Sequence, residues 1–204
     1  MSARRRRSPP PKPPADLNSR TPRLLTLGPG TIVHRFYTTS NDPLYFDRSL
    51  DGRLNAPDGS YGVLYAAAKA NGAFAETFLR TTGRRMIDPK LTSKKGYVAY
   101  EVVSPLNIIE FDGPGLAIVG ATAEVVHCGG PPYPNPQSWS LALHSHPMTA
   151  DGIAYGARHD PHEVCYAIFD RAGHAIREVK REVDLDQSWF WDLADGYGMG
   201  QPPS

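Results

Sequence analysis

Apolar and polar positions along this chain repeat with two periods. Stretches that alternate, or run apolar and β-branched for a few residues, occur at Thr31–Tyr37 (TIVHRFY), Gly62–Ala66 (GVLYA), Gly96–Val103 (GYVAYEVV) and Leu106–Phe111 (LNIIEF). Three more follow at Asp151–Ala157 (DGIAYGA), Glu163–Asp170 (EVCYAIFD) and His174–Leu185 (HAIREVKREVDL). Each predicts a strand. A turn at Asn71-Gly72 leads into GAFAETFLR, Gly72–Arg80, whose apolar residues are Phe74, Ala75, Phe78 and Leu79. At the helical period these span about 140° of one face, and Glu76 falls about 60° beyond its edge, between core and solvent. PQSWSLALHSH (Pro136–His146) predicts a second helix, and SWFWDL (Ser188–Leu193) a closing helix or aromatic plug. There is no regular βαβ alternation and no internal repeat. The pattern predicts a single α+β domain with a mostly antiparallel, twisted sheet and flanking helices.

Composition sets the boundaries. A chain of 204 residues fits one ordinary domain with some tail. Residues 1–23 are basic and proline-rich, with seven Lys/Arg against one acid, which leaves 15 basic and 20 acidic residues for the remainder. That segment reads as a disordered leader, residues 24–195 as the domain, and 196–204 as a tail. The slightly acidic remainder argues against a general nucleic-acid-binding face. Two cysteines, Cys128 and Cys165, make no disulfide framework. No apolar run approaches a membrane span of ~18 residues, and the arginine run lacks the apolar stretch of a secretory signal. A cytoplasmic protein is expected.

Candidate chemistry narrows in three steps. The GPG triplets at Gly28–Gly30 and Gly113–Gly115 lack phosphate-loop spacing and read as turns. His144, His146, His159, His162 and Cys165 suggest zinc at first sight. However, the H-x-x-H-x-x-C spacing sends successive members to opposite faces of an extended segment, so no metal is expected. Cys165 sits among apolar neighbours, where thiols are usually inert. The third set is Arg35, Arg53, Tyr65 and Glu76. Arg35 lies inside an apolar strand, which is costly for a guanidinium without an anion. Arg53 ends a long Asn/Asp/Pro/Gly-rich loop of the kind usually functional or mobile. Glu76 follows Tyr65 by eleven positions and is the only carboxylate between Asp58 and Asp88. Guanidinium forks suit a diphosphate, a ring stacks on a planar cation, and one carboxylate steadies positive charge on a ribose carbon. Surface Arg–Glu pairing around a packed tyrosine explains the same residues equally well.

HRFY, GRLNAPDGSYGVLYAA, AFAETFLR, PQSWSLALH and DGIAYGARHDP occur in that order between about Thr31 and Asp170. The ordered set resembles the RES-domain family, named for an arginine, a glutamate and a serine. The resemblance implies a fold like that of the ADP-ribosyltransferase toxins. It also implies cleavage of the nicotinamide–ribose bond of NAD as substrate, with no further cofactor and with water, phosphate or a protein as acceptor. Arg35 matches the strand arginine, Arg53 the arginine of the GR[FW]N segment, Tyr65 the strand tyrosine and Glu76 the acid. Glu76 and Tyr65 are thereby the catalytic candidates, and Arg35 and Arg53 the substrate-binding ones. The serine is where the chain departs: Tyr155-Gly156-Ala157-Arg158 stands where family members often have Y-R-S-R, and Asn135-Pro136 precedes Gln137. Ser138 and Ser140 lie nearby, and Ser138 is the substrate-side candidate. As partners the resemblance implies a helix-turn-helix antitoxin, with no direct nucleic-acid or membrane contact, and leaves homo-oligomers open. The alternative is a catalytically weak RES-like module that still holds a nucleotide or its antitoxin.

Overall fold

The computed structural model describes residues 10–80, 83, 85–128 and 130–201. Among these residues eight strands make one sheet: β1 (Leu24–Leu27), β2 (Ile32–Thr38), β3 (Val63–Ala67), β4 (Lys95–Val102), β5 (Leu106–Glu110), β6 (Gly152–Gly156), β7 (Val164–Phe169) and β8 (Ile176–Glu182). Their order is β1-β5-β6-β7-β3-β2-β4-β8. Among the described residues six α-helices accompany them: α1 (Ala70–Phe78), α2 (Pro89–Thr92), α3 (Gly113–Val119), α4 (Glu124–His127), α5 (Pro134–His144) and α6 (Ser188–Gly196). Every strand pairing is antiparallel except β5 with β6. That parallel pair needs a crossover, and the chain between Glu110 and Gly152 supplies it with α3, α4 and α5. This is the expected single α+β domain, with one parallel step that periodicity did not reveal.

The sheet is tight on either side of its middle and open within it. β2 pairs with β4 from Ile32↔Glu101 to Thr38↔Lys95, and β3 pairs with β7 from Val63↔Phe169 to Ala67↔Cys165. β2 and β3 share only His34↔Ala67. Beyond that pair they diverge, and Asp47 from the long loop takes the place beside Val63, exchanging backbone hydrogen bonds of 2.9 and 3.0 Å. A split sheet exposes backbone and side chains of both strands to one opening, and that opening is the cleft described below.

Both faces are covered by apolar packing. Val33, Tyr37, Leu64, Tyr100 and Ile168 fill one side. Phe36, Val63, Phe74, Phe78, Trp139 and Phe190 fill the other. α1 is only nine residues long and has no side-chain N-cap, so propensity alone does not hold it. Aromatic packing does: Phe78 meets Phe36 and Phe190 edge-on at 5.2 Å, and Phe74 stacks on Tyr197 at 5.5 Å. α6 is thus the closing helix, and its packing fixes the helix that carries Glu76.

Four expectations are corrected. Residues 10–23 are not a free leader: Leu17 is buried, Asn135 Nδ2 donates to the Pro10 carbonyl, and Trp139 Nε1 donates to the Pro11 carbonyl at 2.7 Å. Proline lacks an amide donor but keeps its carbonyl acceptor, which is the group used here. Residues 1–9 lie outside the described residues, as do 202–204 of the expected tail. The near part of that tail is packed, with Met199 buried and Gly200 bonded to Arg85 and Ile87. Asn71-Gly72 is not a turn but part of α1. Gly113–Gly115 opens α3, with Asp112 capping the first turn and proline near the start. Gly115 is obligatory because a Cβ there would sit 1.9 Å from the Glu110 carbonyl oxygen.

Candidate active site

A cleft of about 730 Å³ opens where β2 and β3 part. That volume lies within the roughly 300–1,000 Å³ of small-molecule sites. Its charged walls are five basic residues, Arg35, Arg53, Arg80, Lys95 and Arg158, against three acids, Asp47, Asp51 and Glu76. The imbalance favours an anionic ligand. Arg35, Arg53, Tyr65 and Glu76 all line it, so the four candidates converge although they come from β2, a loop, β3 and α1.

Arg53 is positioned by its neighbours in the chain. The Tyr65 hydroxyl accepts from the Leu54 amide at 2.8 Å and donates to Asn55 Oδ1 at 2.9 Å. Asn55 Nδ2 donates to Asp47 Oδ2 and to the Ser49 carbonyl. From α5, Gln137 Nε2 donates to the Leu50 and Gly52 carbonyls, and Ser140 Oγ to the Leu54 carbonyl. Gly52 must be glycine, because a Cβ would lie 2.1 Å from Asn55 Oδ1. Together these bonds hold the loop around Arg53 rigid. The guanidinium then lies 5.7 Å from the Tyr133 ring centroid, and its Nε is buried with no partner. Burial opposes its charge, but Tyr155, Glu76, Cys128 and Tyr133 outweigh burial and raise its pKa.

Arg35 reaches through the gap in the sheet. Its Nη1 donates to the Tyr65 carbonyl at 3.4 Å, and its Nε is buried without a partner. Burial lowers its pKa, with Tyr100 and Asp47 acting in the opposite sense. A guanidinium kept charged and unsatisfied in a cleft is costly unless a ligand anion completes it.

Glu76 is half-buried on α1, and its Oε1 accepts from the Arg158 backbone amide at 2.7 Å. One carboxylate oxygen is thus fixed and the carboxylate is aimed. Tyr155, deeply buried beside it, has its pKa raised well above the ordinary range by burial and by Glu76. Tyr65 is likewise raised by burial, so both phenols stay neutral.

Ser138 is not brought to the cleft. Its hydroxyl donates to the Asn135 carbonyl one turn back in its own helix. Ser140 lies about 200° further round the helix and faces inward, where it braces the Arg53 loop. Ala157 is buried and brings no hydroxyl. The histidines separate. His144 stacks on Tyr61 at 3.8 Å, His146 meets the Leu17 carbonyl, and His159 alone of the histidine–cysteine set joins Cys165 at the cleft wall. Burial pushes the Cys165 thiol well up. Among the described residues no group of three His, Cys, Asp or Glu side chains converges on a metal position.

Several residues of the cleft escaped the sequence reading, Asp47, Lys95, Tyr155 and the Arg158 amide, as did Asn55 and Gln137, which brace the Arg53 loop behind it. Gln137 and Ser140 carried a signal, being polar residues on the helical turn that also holds Trp139 and Leu143 inward. The others depend on contacts remote in sequence.

A sequence model of the RES domain matches residues 31–192. The chain belongs to the RES-domain family. No curated protein matches the chain in sequence. A chain of the crystal structure of the M. tuberculosis MbcT–MbcA toxin–antitoxin complex shares the fold at 15% identity and a TM-score of 0.65, over 89% of this chain and 98% of that one. No helix among the described residues is long and apolar enough to cross a membrane.

Proposed function

We propose that this RES-family chain cleaves the nicotinamide–ribose bond of NAD and acts as a toxin held in check by an antitoxin. The observation that carries the reading is Glu76. It is a carboxylate aimed by one backbone hydrogen bond into a cleft walled by Tyr65 and two incompletely satisfied arginines. Nicotinamide departs with the electrons of the glycosidic bond, and positive charge grows on the ribose carbon. Glu76 stabilises that charge, and an acceptor oxygen then bonds to the carbon. With water as acceptor the products are nicotinamide, ADP-ribose and a proton. Phosphate or a protein side chain fits the same step. Arg53 and Arg35 hold the diphosphate, and Tyr65 offers a ring edge to the nicotinamide side. An antitoxin partner accords with a structural neighbour taken from a toxin–antitoxin complex, and the helix-turn-helix kind is what the RES resemblance implies.

A second reading is favoured by one observation. Ala157 supplies no hydroxyl where family members often carry serine, and Ser138 does not replace it. On that reading the chain binds the nucleotide without turning it over. Product analysis after incubation with NAD decides between the two. Free nicotinamide in excess of enzyme supports cleavage, whereas binding without release supports the module.

A further inference from the structure

Besides Arg53 and Arg158, the cleft lining carries three further cations, Arg35, Arg80 and Lys95. Thr38 and Lys95 face each other across the β2–β4 ladder, and Lys95 Nζ donates to Thr38 Oγ1 at 2.8 Å. Arg80, just past the end of α1, donates from its Nε to the Glu76 carbonyl at 2.8 Å. Arg35 donates from Nη1 to the Tyr65 carbonyl, and its Nε is buried and unpartnered.

Among the described residues none of these three cations forms an ion pair, although cations elsewhere on the surface do so repeatedly. Burial, with Arg80 and then Arg35, lowers the Lys95 pKa. Mutual repulsion of this kind persists in a fold when a ligand charge relieves it.

We propose that Lys95, Arg80 and Arg35 form the subsite for the phosphate on the adenosine half of a dinucleotide, so that the cleft selects a dinucleotide over a mononucleotide. The inference rests on the NAD-cleaving reading for its substrate, but the anion subsite is measurable without turnover. Glu76 and Tyr65 act at the nicotinamide ribose, and Arg53 lies beside them. On this assignment Lys95 meets the part of the ligand beyond the first phosphate. Nicotinamide mononucleotide carries the scissile bond and one phosphate but lacks that part.

The test compares NAD with nicotinamide mononucleotide in the full chain and in Lys95→Met, Lys95→Arg and Arg80→Ala. Loss of one charge-assisted contact predicts that kcat/KM for NAD relative to the mononucleotide falls about ten-fold in Lys95→Met, through KM, and recovers in Lys95→Arg. Arg80→Ala, at a more exposed position, gives a smaller fall in the same direction. An unchanged ratio in Lys95→Met overturns the subsite. ADP binding by calorimetry gives the second reading, with affinity about ten-fold weaker in Lys95→Met than in the parent chain. If the parent chain cleaves neither substrate yet binds ADP in a Lys95-dependent way, the catalytic reading fails and the subsite stands. Absence of ADP binding, or binding equal in both chains, removes the subsite whatever the activity.

Discussion

The Tyr65 hydroxyl donates to Asn55 Oδ1 at 2.9 Å, and this bond fixes the residue two places beyond Arg53. The hydroxyl is therefore a strut for the arginine loop, besides any role of the ring. Tyr65→Phe keeps the ring but leaves the Leu54 amide and Asn55 Oδ1 without that partner, at about 1–3 kcal/mol for each buried group. We expect Tyr65→Phe to lower Tm and to raise KM for NAD several-fold. Melting curves beside steady-state kinetics check both, and wild-type values of each would return the role to the ring alone.

Glu76→Gln separates charge from shape. The amide oxygen still accepts from the Arg158 backbone N–H, so the fold should melt within about 1 °C of the parent, as expected for a near-neutral substitution. NAD cleavage should fall at least a hundred-fold, the usual scale for removing one transition-state charge. Nicotinamide release, followed chromatographically, is the readout. Retention of the parent rate would remove Glu76 from the mechanism.

Arg53 meets Tyr133 face-on and has an unpartnered Nε, so its contribution belongs to binding. Arg53→Ala should raise KM for NAD about ten-fold or more while kcat changes less. Arg53→Lys should not restore it, because a point charge lacks the planar fork. A fall in kcat at constant KM contradicts the assignment.

Acid should weaken the fold through His144. Burial, and next Arg171, depresses its pKa to about 4, with Asp170 and Asp58 acting oppositely. The unfolded chain takes up a proton near pH 6.5 that the folded ring, stacked on Tyr61, refuses. The stability contribution is complete above about pH 6.5 and is lost progressively as pH falls toward 4. His144→Phe keeps a flat ring and removes the titration, so its Tm should fall less between pH 7 and about 4.5. Parallel acid limbs for the two chains would assign the pH dependence elsewhere.

A chain beginning at Leu24 loses the Pro10 and Pro11 carbonyls and the buried Leu17. Trp139 Nε1 is then left without its acceptor inside the core. We expect a drop in Tm of about 10 °C or more. Differential scanning calorimetry of the two chains decides it, and equal transitions would make the segment dispensable.

Much of the fold was legible because strands such as Thr31–Tyr37 and Gly96–Val103 carry their own β-branched and aromatic pattern. Arg35 and Glu76 were legible for a related reason. Each breaks the pattern of its element, one as a charge inside a strand and the other as an acid alone beside an apolar stripe. The split between β2 and β3 was not legible, since no local sequence property states that two good strands share one pair. The leader misled for a compositional reason. Proline content predicts a chain that cannot pair through its amides, but it says nothing about carbonyls accepting from Trp139 and Asn135. Ser138 was misplaced by proximity in sequence, where the helical turn puts Ser140, two residues on, at the useful face.

The donor that holds Glu76 is a peptide N–H. Every residue except proline would supply it at position 158. The aim of the acid is thus written in the backbone path of the turn after β6, and side-chain change there does not erase it. Substitutions in Tyr155-Gly156-Ala157-Arg158 that keep the turn leave the carboxylate oriented. Only a change in the turn itself, by insertion, deletion or proline, would let it go.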